Sequence, residues 1–196
     1  GNDHPILTQR FHDASLPQRS YDPDKAKFHI RKAGLSNPAF DLNASSLGGF
    51  TDVAVLFKES AARAGIQINI RQQPEDGYWN DVWLKKPFVL CYWGARPTCD
   101  MMFSTAYSGD APWNDTHFKH ARFDALVKAA RAELDENKRG EMYAECQRIL
   151  RDEGGTIVPF FKDYVEAASD RVRFNDISSL WECDGHRASE RWWFGA

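Results

Sequence analysis

A tryptophan and an arginine three positions apart carry the clearest binding chemistry in this sequence. Trp93 lies near the end of an apolar run that begins at residue 88, and Arg96 follows it. An indole offers a flat apolar surface, and a guanidinium offers donors in a planar fork that matches a carboxylate or a phosphate. The pair predicts one wall of a ligand-binding site.

The element that must position this pair can be predicted from the local pattern. Residues 88–91 (FVLC) are typical of a buried strand, and Gly94 and Pro97 force the chain into a loop directly after it. Trp93 is therefore expected at a strand end. Such a position holds a large side chain on a rigid element while leaving it accessible to a ligand.

A helix with both of its ends encoded is predicted over residues 21–34. Asp22 can accept a free backbone N–H as the N-cap, and Pro23 occupies the first helical position, where proline is tolerated. Gly34 supplies the left-handed residue that closes a helix.

Residues 40–70 predict a strand, a helix and a second strand. Apolar and polar residues alternate over 40–44 and again over 66–70, and apolar or small residues recur at helical spacing over 51–64. A right-handed parallel crossover is the expected connection, which indicates an α/β fold. A short helix is predicted within residues 76–86.

The second half of the chain is predicted to be more helical. Apolar positions mark one amphipathic helix over residues 123–134 and another over residues 142–150, and residues 135–137 are expected to cap the second. Gly154 ends that helix. Residues 156–161 then predict a strand.

In this order the segments resemble extracellular solute-binding family 5, the periplasmic receptors of peptide, nickel and related ABC importers. The resemblance covers roughly residues 1–175 and rests on motifs at 21–34, 66–70, 92–97, 122–126 and 155–161. Members of this family have two lobes and several hundred residues, whereas this chain has 196. The resemblance implies an α/β lobe of the periplasmic-binding-protein type, with a mixed sheet flanked by helices. It assigns residues 1–170 to the second, inserted lobe and residues 171–196 to a segment that returns toward a first lobe encoded upstream.

The resemblance also implies a function. We expect the chain to be part of the substrate-binding component of an ABC importer, which captures a small solute, peptide-like or anionic, in a cleft between its lobes. The partners would be that ligand, the missing N-terminal lobe and the permease subunits in the membrane. The location would be the periplasm, with a signal peptide upstream, and no cofactor is expected. The alternative is a sensor or interaction domain derived from a solute-binding protein.

Arg96 is a departure from the pattern of the family. Peptide-binding members carry an aspartate three residues after the tryptophan, where it pairs with the α-ammonium of the ligand. A buried cation facing an ammonium is unfavourable, so the arginine favours an anionic solute over an ordinary peptide amino terminus. Two alternatives stay open: a peptide whose C-terminal carboxylate binds Arg96, or an Arg96 that only forms an ion pair with Asp100 or Asp110.

The resemblance adds four further candidates for the ligand site. Tyr92 and Gly94 flank Trp93 and are expected to line the same wall, through a side chain and through the backbone. Asn114 and Asp115 match a polar pair that lies near the ligand in peptide binders. The alternative for this pair is to cap the helix that follows, as Asn and Asp commonly do.

Composition argues against several other functions. The formal net charge is -3 without a basic stripe, which gives no support for a nucleic-acid partner. No apolar stretch approaches the roughly 20 residues that cross a bilayer. The six histidines form no metal-binding motif, and no nucleophile elbow is present. Neither a metal site nor an enzymatic activity is therefore predicted.

The sequence leaves the disulfide state open. The cysteines at 91, 99, 146 and 183 form no CxxC motif, and four cysteines allow three pairings or none. Cys146 is predicted to be buried on a helix. Cys99, in the loop after Trp93, is predicted to face ligand or solvent.

Overall fold

The computed structural model describes residues 1–195, which form two compact units. The central unit is Arg19–Tyr92, and the terminal unit combines Gly1–Gln18 with the chain from Trp93 onward. The assignment of residues 1–170 to an inserted lobe concerns a longer protein and stays a prediction. None of the described helices is long and apolar enough to cross a membrane.

The central unit follows the predicted order of elements. It contains α1 (Pro23–Lys32), β1 (Ala39–Ala44), a 3₁₀ turn (Leu47–Gly49), α2 (Phe50–Arg63), β2 (Gln67–Gln72) and one wide helical turn (Tyr78–Val82). Helix α1 begins and ends as predicted. Asp22 Oδ1 accepts from the backbone N–H of Lys25 at 2.8 Å, and Gly34 has a φ of 73° just beyond the last turn.

The strands β1 and β2 pair in parallel, and α2 connects them in the chain. Ala39 lies opposite Gln67 and Ala44 lies opposite Gln72, so the predicted parallel crossover is confirmed. The predicted strand at residues 88–91 contributes one parallel bridge on the other side of β1, between Asn43 and Val89. The α/β class is therefore confirmed.

A buried tyrosine joins the wide turn to this sheet. Tyr78 is 1% exposed within the core of the central unit, and its hydroxyl donates to the carbonyl of Leu90 at 2.7 Å. Burial raises the pKa of Tyr78 to about 12. The rest of this core consists of Leu42, Ala44, Phe50, Ala54, Ile68 and Val82.

The terminal unit is built on three longer helices. These are α3 (Cys99–Ala106), α4 (Ala121–Ala132) and α5 (Glu136–Glu153). The tail beyond them contains short turns at Glu182–His186 and Ala188–Arg191, and Val172–Arg173 pairs antiparallel with Trp193–Phe194. The largest fully buried apolar side chains of its core are Ile6, Phe103 and Phe123, and Tyr143 packs against Phe103 with ring centroids 5.9 Å apart.

Each of the three helices begins at a side-chain cap. Thr98 Oγ1, His120 Nδ1 and Asp135 Oδ1 accept backbone N–H groups from the first turns of α3, α4 and α5. The Asp135 cap confirms the prediction for residues 135–137. Gly154 follows the last residue of α5, also as predicted.

Helix α4 ends earlier than its apolar pattern indicates. Its last residue is Ala132, because Glu133 adopts an extended backbone that leads into the cap at Asp135. The predicted extension to residue 134 is wrong. The side chain of Leu134 is 89% exposed and packs in no core.

Residues 156–161 form no strand within the described chain, so that prediction is wrong. The backbone N–H of Asp3 donates to the carbonyl of Val158 at 3.4 Å, but the N–H of Val158 donates to the Asp3 side chain at 2.8 Å. A side chain occupies the position that a second strand would need to extend the ladder. Ile157 and Phe160 remain about half exposed, at 54% and 52%.

Within residues 1–195 none of the four cysteines forms a disulfide. Cys146 is fully buried, as predicted, and burial raises its pKa to about 12. The prediction that Cys99 faces ligand or solvent is wrong, since this residue is 2% exposed. Thr98 is the N-cap of α3, so Cys99 is the first residue of the helix and packs against the core. Burial raises the pKa of Cys99 to about 12.

Candidate ligand-binding site

The indole of Trp93 is the centre of the predicted site. It is half-buried against the core of the terminal unit, and its Nε1–H donates to Asp115 Oδ2 at 3.1 Å. The ring of Trp113, 47% exposed, lies beside it with centroids 6.1 Å apart and planes inclined by 52°. The two indoles thus form an apolar wall that is partly open to solvent.

Arg96 lies over this wall. Its guanidinium carbon is 5.5 Å from the centroid of the Trp93 ring, a cation–π contact, and its Nη1 donates to the carbonyl of Gly94 at 2.9 Å. The side chain of Gln9 donates to the carbonyl of Arg96 at 2.9 Å, which fixes the backbone at the same place. Both the side chain and the main chain of the arginine are therefore positioned.

The alternative ion pair of Arg96 with Asp100 or Asp110 is not formed. Asp100 instead pairs with Arg131 at 3.0 Å and lies 3.3 Å from the hydroxyl of Tyr143. Within residues 1–195 the guanidinium of Arg96 makes no ion pair and no hydrogen bond besides the one to Gly94. Its remaining donors are available to a ligand.

Asn114 is a structural residue of the loop that leads into α4. It is 5% exposed, and its Nδ2 donates to the carbonyls of Ser108 and Phe118 while its Oδ1 accepts from the N–H of Phe118 at 3.1 Å. The interpretation of Asn114 as a helix cap is wrong, because His120 caps α4. The buried amide groups of Asn114 instead hold the loop closed.

Asp115, the neighbour of Asn114, is half-buried and its carboxylate reaches the edge of the Trp93 indole. It is not the cap of α4 either. The loop therefore presents a carboxylate beside the same tryptophan that carries the Arg96 guanidinium. One aromatic side chain has a cation over its face and an anion at its N–H edge.

Trp181 is a member of this site that the sequence analysis missed. A Cβ atom added to Gly94 would lie 2.6 Å from Cη2 of Trp181, so the indole packs directly on the glycine. Trp181 remains 37% exposed and stacks on His186 with ring centroids 5.9 Å apart. The tail around it has no hydrophobic period, and the glycine at position 94 was the only local signal of a close approach.

Tyr92 belongs to the central unit, whereas the other five candidates belong to the terminal unit. Its ring packs on Phe50 and Trp79 with centroids 6.0 and 5.4 Å away, and the side chain is 64% exposed. Within the terminal unit the structure brings together Trp93, Gly94, Arg96 and Asp115, with Asn114 behind them. In the described chain no group of three or more His, Cys, Asp or Glu residues could hold a metal ion.

The sequence is similar to those of several peptide-binding proteins. No family model matches the chain. The dipeptide-binding protein of Escherichia coli is 25% identical over 156 residues, which are 71% of this chain and 28% of that protein. Di/tripeptide-binding protein 3 of Pseudomonas aeruginosa is 27% identical over 157 residues, which are 74% of this chain and 29% of that protein. The chain thus spans less than a third of the curated relatives it matches.

Comparisons of structure find periplasmic binding proteins. DppA of Helicobacter pylori in complex with the peptide STSA has a TM-score of 0.70 at 22% identity, over 77% of this chain and 31% of that one. MoaA of A. tumefaciens R10 in complex with mannopinic acid has a TM-score of 0.64 at 25% identity, over 73% and 30%. NikZ of Campylobacter jejuni with Ni(L-His) has a TM-score of 0.64 at 17% identity, over 74% and 33%.

The chain therefore has the α/β fold of part of a periplasmic binding protein. Within that class, the resemblance to peptide-binding proteins is confirmed over about three quarters of the chain.

Proposed function

We propose that this chain is part of the substrate-binding component of an ABC importer and helps to capture a small peptide-like or anionic solute. The curated relatives are peptide-binding proteins, and the solved neighbours include receptors with a bound peptide and with mannopinic acid. The solute would lie in a cleft between the lobes of a longer protein, which works in the periplasm and delivers it to permease subunits. Binding, rather than turnover, is the function.

The observation that carries this proposal is the position of Arg96. Its guanidinium lies on the indole of Trp93, and one of its five donors is occupied by the carbonyl of Gly94. Because a forked guanidinium binds carboxylates in a bidentate manner, the remaining donors fit a carboxylate of the solute. The indoles of Trp93 and Trp113 supply the apolar surface that excludes water around that contact.

A longer protein with two lobes is part of this proposal. We infer that residues 1–170 belong to its second lobe and that residues 171–196 return toward a first lobe encoded upstream. The exposed apolar side chains of the segment after α5, among them Ile157 and Phe160, support such a partner surface. A signal peptide is expected before the first lobe.

A thermal-shift screen of the full-length protein that contains this chain tests the proposal. Dipeptides, sugar-acid anions, mannopinic acid and metal chelates are added in turn. A ligand present at a hundred times its Kd stabilises the folded state by about 2.7 kcal/mol, which raises the melting temperature measurably. We expect at least one dipeptide or carboxylate to do so in the wild type and not in Arg96→Ala.

Arg10→Ala is the matched control for that variant. Arg10 also lies over an aromatic ring, 5.0 Å from the centroid of Phe11, but its ion-pair partner is Glu136. This control must keep the ligand-induced shift. If no carboxylate or peptide raises the melting temperature, or if Arg96→Ala keeps the full shift, the proposed site is wrong.

A further inference from the structure

We propose that His4 and His12 form a pH-sensitive latch, which releases residues 1–18 from helix α5 when the imidazoles are protonated below about pH 6.5. This N-terminal segment contains no helix or strand among the described residues, so side-chain and turn contacts hold it in place. Both the segment and α5 belong to the terminal unit. The latch therefore acts within one unit and does not depend on which solute the protein binds.

The first support is the position of the two imidazoles. Their ring centroids are 4.8 Å apart, with planes inclined by 51°. His4 is 7% exposed, and within residues 1–195 neither its Nδ1 nor the buried Nδ1 of His12 makes a hydrogen bond. A protonated imidazole carries an N–H at both nitrogens, so a proton on either ring creates a buried, charged donor without an acceptor.

The second support is that the groups facing His4 are mainly cations. Burial, followed by His12 and Arg151, lowers the pKa of His4 below its ordinary value of 6.5, and the ammonium of Gly1 acts in the same direction. The released segment therefore takes up a proton at a higher pH than the attached segment does. Attachment is fully favoured above about pH 6.5 and weakens as the pH falls toward the pKa of the attached form.

The opposing charge is the carboxylate of Asp13. It favours a proton on His4, but it also accepts from the N–H and the hydroxyl of Ser15, and Arg148 attracts it as well. A carboxylate shared in this way does not neutralise two imidazolium ions 4.8 Å apart. The protonated latch therefore remains unfavourable.

The other bonds that hold the segment carry no charge. Gln147 of α5 is fully buried, donates to the carbonyl of Phe11 at 2.7 Å and accepts from the N–H of Asp13 at 2.8 Å. The side chain of Gln9 donates to the carbonyl of Arg96 at 2.9 Å. Acid does not change these groups directly, so the imidazoles supply the pH dependence, and release of the segment breaks all three bonds.

The attached segment is also strained. Phe11, next to His12, has a φ of 70°, in the left-handed region that bulky side chains rarely adopt. Release of the segment relieves this conformation. A short segment without regular secondary structure can open while the helices beneath it stay folded.

The test is hydrogen–deuterium exchange of the full-length protein that contains this chain, at about pH 7.5 and about pH 5.5, on either side of the ordinary histidine pKa. Mass spectrometry follows peptides from residues 1–18 and, as an internal reference, from α4. Each rate is compared with the intrinsic rate at the same pH, which gives a protection factor.

Three variants accompany the wild type. The double variant His4→Gln/His12→Gln removes both titrating groups. Asp13→Asn removes the carboxylate that favours a proton on His4, and it keeps an acceptor for Ser15. The matched control is His29→Gln, because His29 is an exposed histidine on α1, in the central unit.

The expected changes follow from proton linkage. One pH unit below its pKa, an imidazole that binds a proton only in the released state favours release by about tenfold. In the wild type and in His29→Gln, protection of residues 1–18 should therefore fall by about fivefold or more at the lower pH, and protection of α4 by less than about twofold. The fall should be larger in Asp13→Asn and less than about twofold in the double variant.

Unchanged protection of residues 1–18 in the wild type would overturn the latch. An equal fall in the double variant would also overturn it, and so would a fall in α4 as large as that in the segment, which indicates global unfolding. If the two glutamines loosen the segment already at the higher pH, Asp13→Asn decides. A fall no larger than that of the wild type in Asp13→Asn would then contradict the proposal.

Discussion

The indole N–H of Trp93 donates to the carboxylate of Asp115 at 3.1 Å, across 22 residues of sequence. This hydrogen bond joins Trp93, two positions beyond the predicted strand, to the loop before α4. It brings two of the candidate residues together and makes the position of each depend on the other. The contact of Arg96 with the same indole completes the arrangement.

Gly94 is predicted to be essential for the position of Trp181. In Gly94→Ala the new Cβ would lie 2.6 Å from Trp181, so the indole must move away. We expect a loss of about 1–3 kcal/mol in the free energy of unfolding, as for other overpacked sites, and a weaker affinity for the ligand. Urea denaturation checks the stability.

The double variant Gly94→Ala/Trp181→Ala is the control for this steric argument. Removing the indole should relieve the clash, so the glycine substitution should cost much less in the absence of Trp181. Equal costs in the two backgrounds would show that the two residues do not interact.

Asn114 is predicted to contribute to the stability of the fold more than to ligand binding. Asn114→Ala removes a buried amide that bonds to the loop backbone of Ser108 and Phe118, and it leaves those groups without their partner. We expect a loss of about 1–3 kcal/mol, measured by chemical denaturation. Asp115→Asn, on the same loop, should lose less than about 1 kcal/mol, because Asn keeps an acceptor for the indole. The reverse order of stabilities would contradict this assignment of roles.

Gln147 is predicted to attach the N-terminal segment to α5. Its side chain is fully buried, donates to the carbonyl of Phe11 at 2.7 Å and accepts from the N–H of Asp13 at 2.8 Å. Gln147→Leu should cost about 1–3 kcal/mol because two backbone groups lose their partner. Limited proteolysis should then cleave near residues 11–13 faster than in the wild type, and unchanged cleavage would contradict the prediction.

The stability of the protein is predicted to depend on the ionisation of His4. Burial, followed by the neighbouring His12 and Arg151, lowers the pKa of His4 below its ordinary value of 6.5, although Asp13 opposes the shift. The unfolded chain therefore binds a proton at a higher pH than the folded chain does. This contribution to stability is complete above about pH 6.5 and is lost as the pH falls toward the folded pKa.

This prediction is checked by measuring the free energy of unfolding between about pH 5 and pH 8, the range in which histidine titrates. His4→Gln should flatten the part of the profile below the ordinary histidine pKa. An unchanged slope in that variant would assign the pH dependence to other groups.

Local patterns predicted the elements whose ends are encoded by neighbouring residues. The cap at Asp22 and the glycine at position 34 bound α1, and Asp135 starts α5, because these interactions act within one helical turn. The strand predicted at residues 156–161 does not form, because a strand depends on residues that are distant in sequence. Strand formation needs a partner, and among the described residues the N-terminal segment makes separate bonds rather than a ladder: Asp3 N–H donates to Val158, the Gly1 ammonium donates to Pro159, and the Val158 N–H donates to the Asp3 side chain.

The contacts of the candidate site also divide into local ones and ones between residues distant in sequence. Trp93 and Arg96 were assigned to the site from their local motif and the family resemblance, and that assignment stays a prediction. The contact of Trp181 with Gly94 spans 87 residues and leaves no periodic pattern. The residue before Cys99 is a local signal for the burial of this cysteine. Thr98 is a strong N-cap residue, and a helix that starts there directs Cys99 into the core.

Arg96 is predicted to bind the solute and to contribute little to the stability of the fold. The most direct test of this prediction is calorimetric titration of the full-length wild type and Arg96→Ala with a carboxylate or dipeptide that stabilises the wild type, together with urea denaturation of both without ligand. We predict an affinity loss of about tenfold or more, with a change of less than about 0.5 kcal/mol in the free energy of unfolding. An unchanged affinity, or a loss of stability as large as the loss of binding energy, would contradict the prediction.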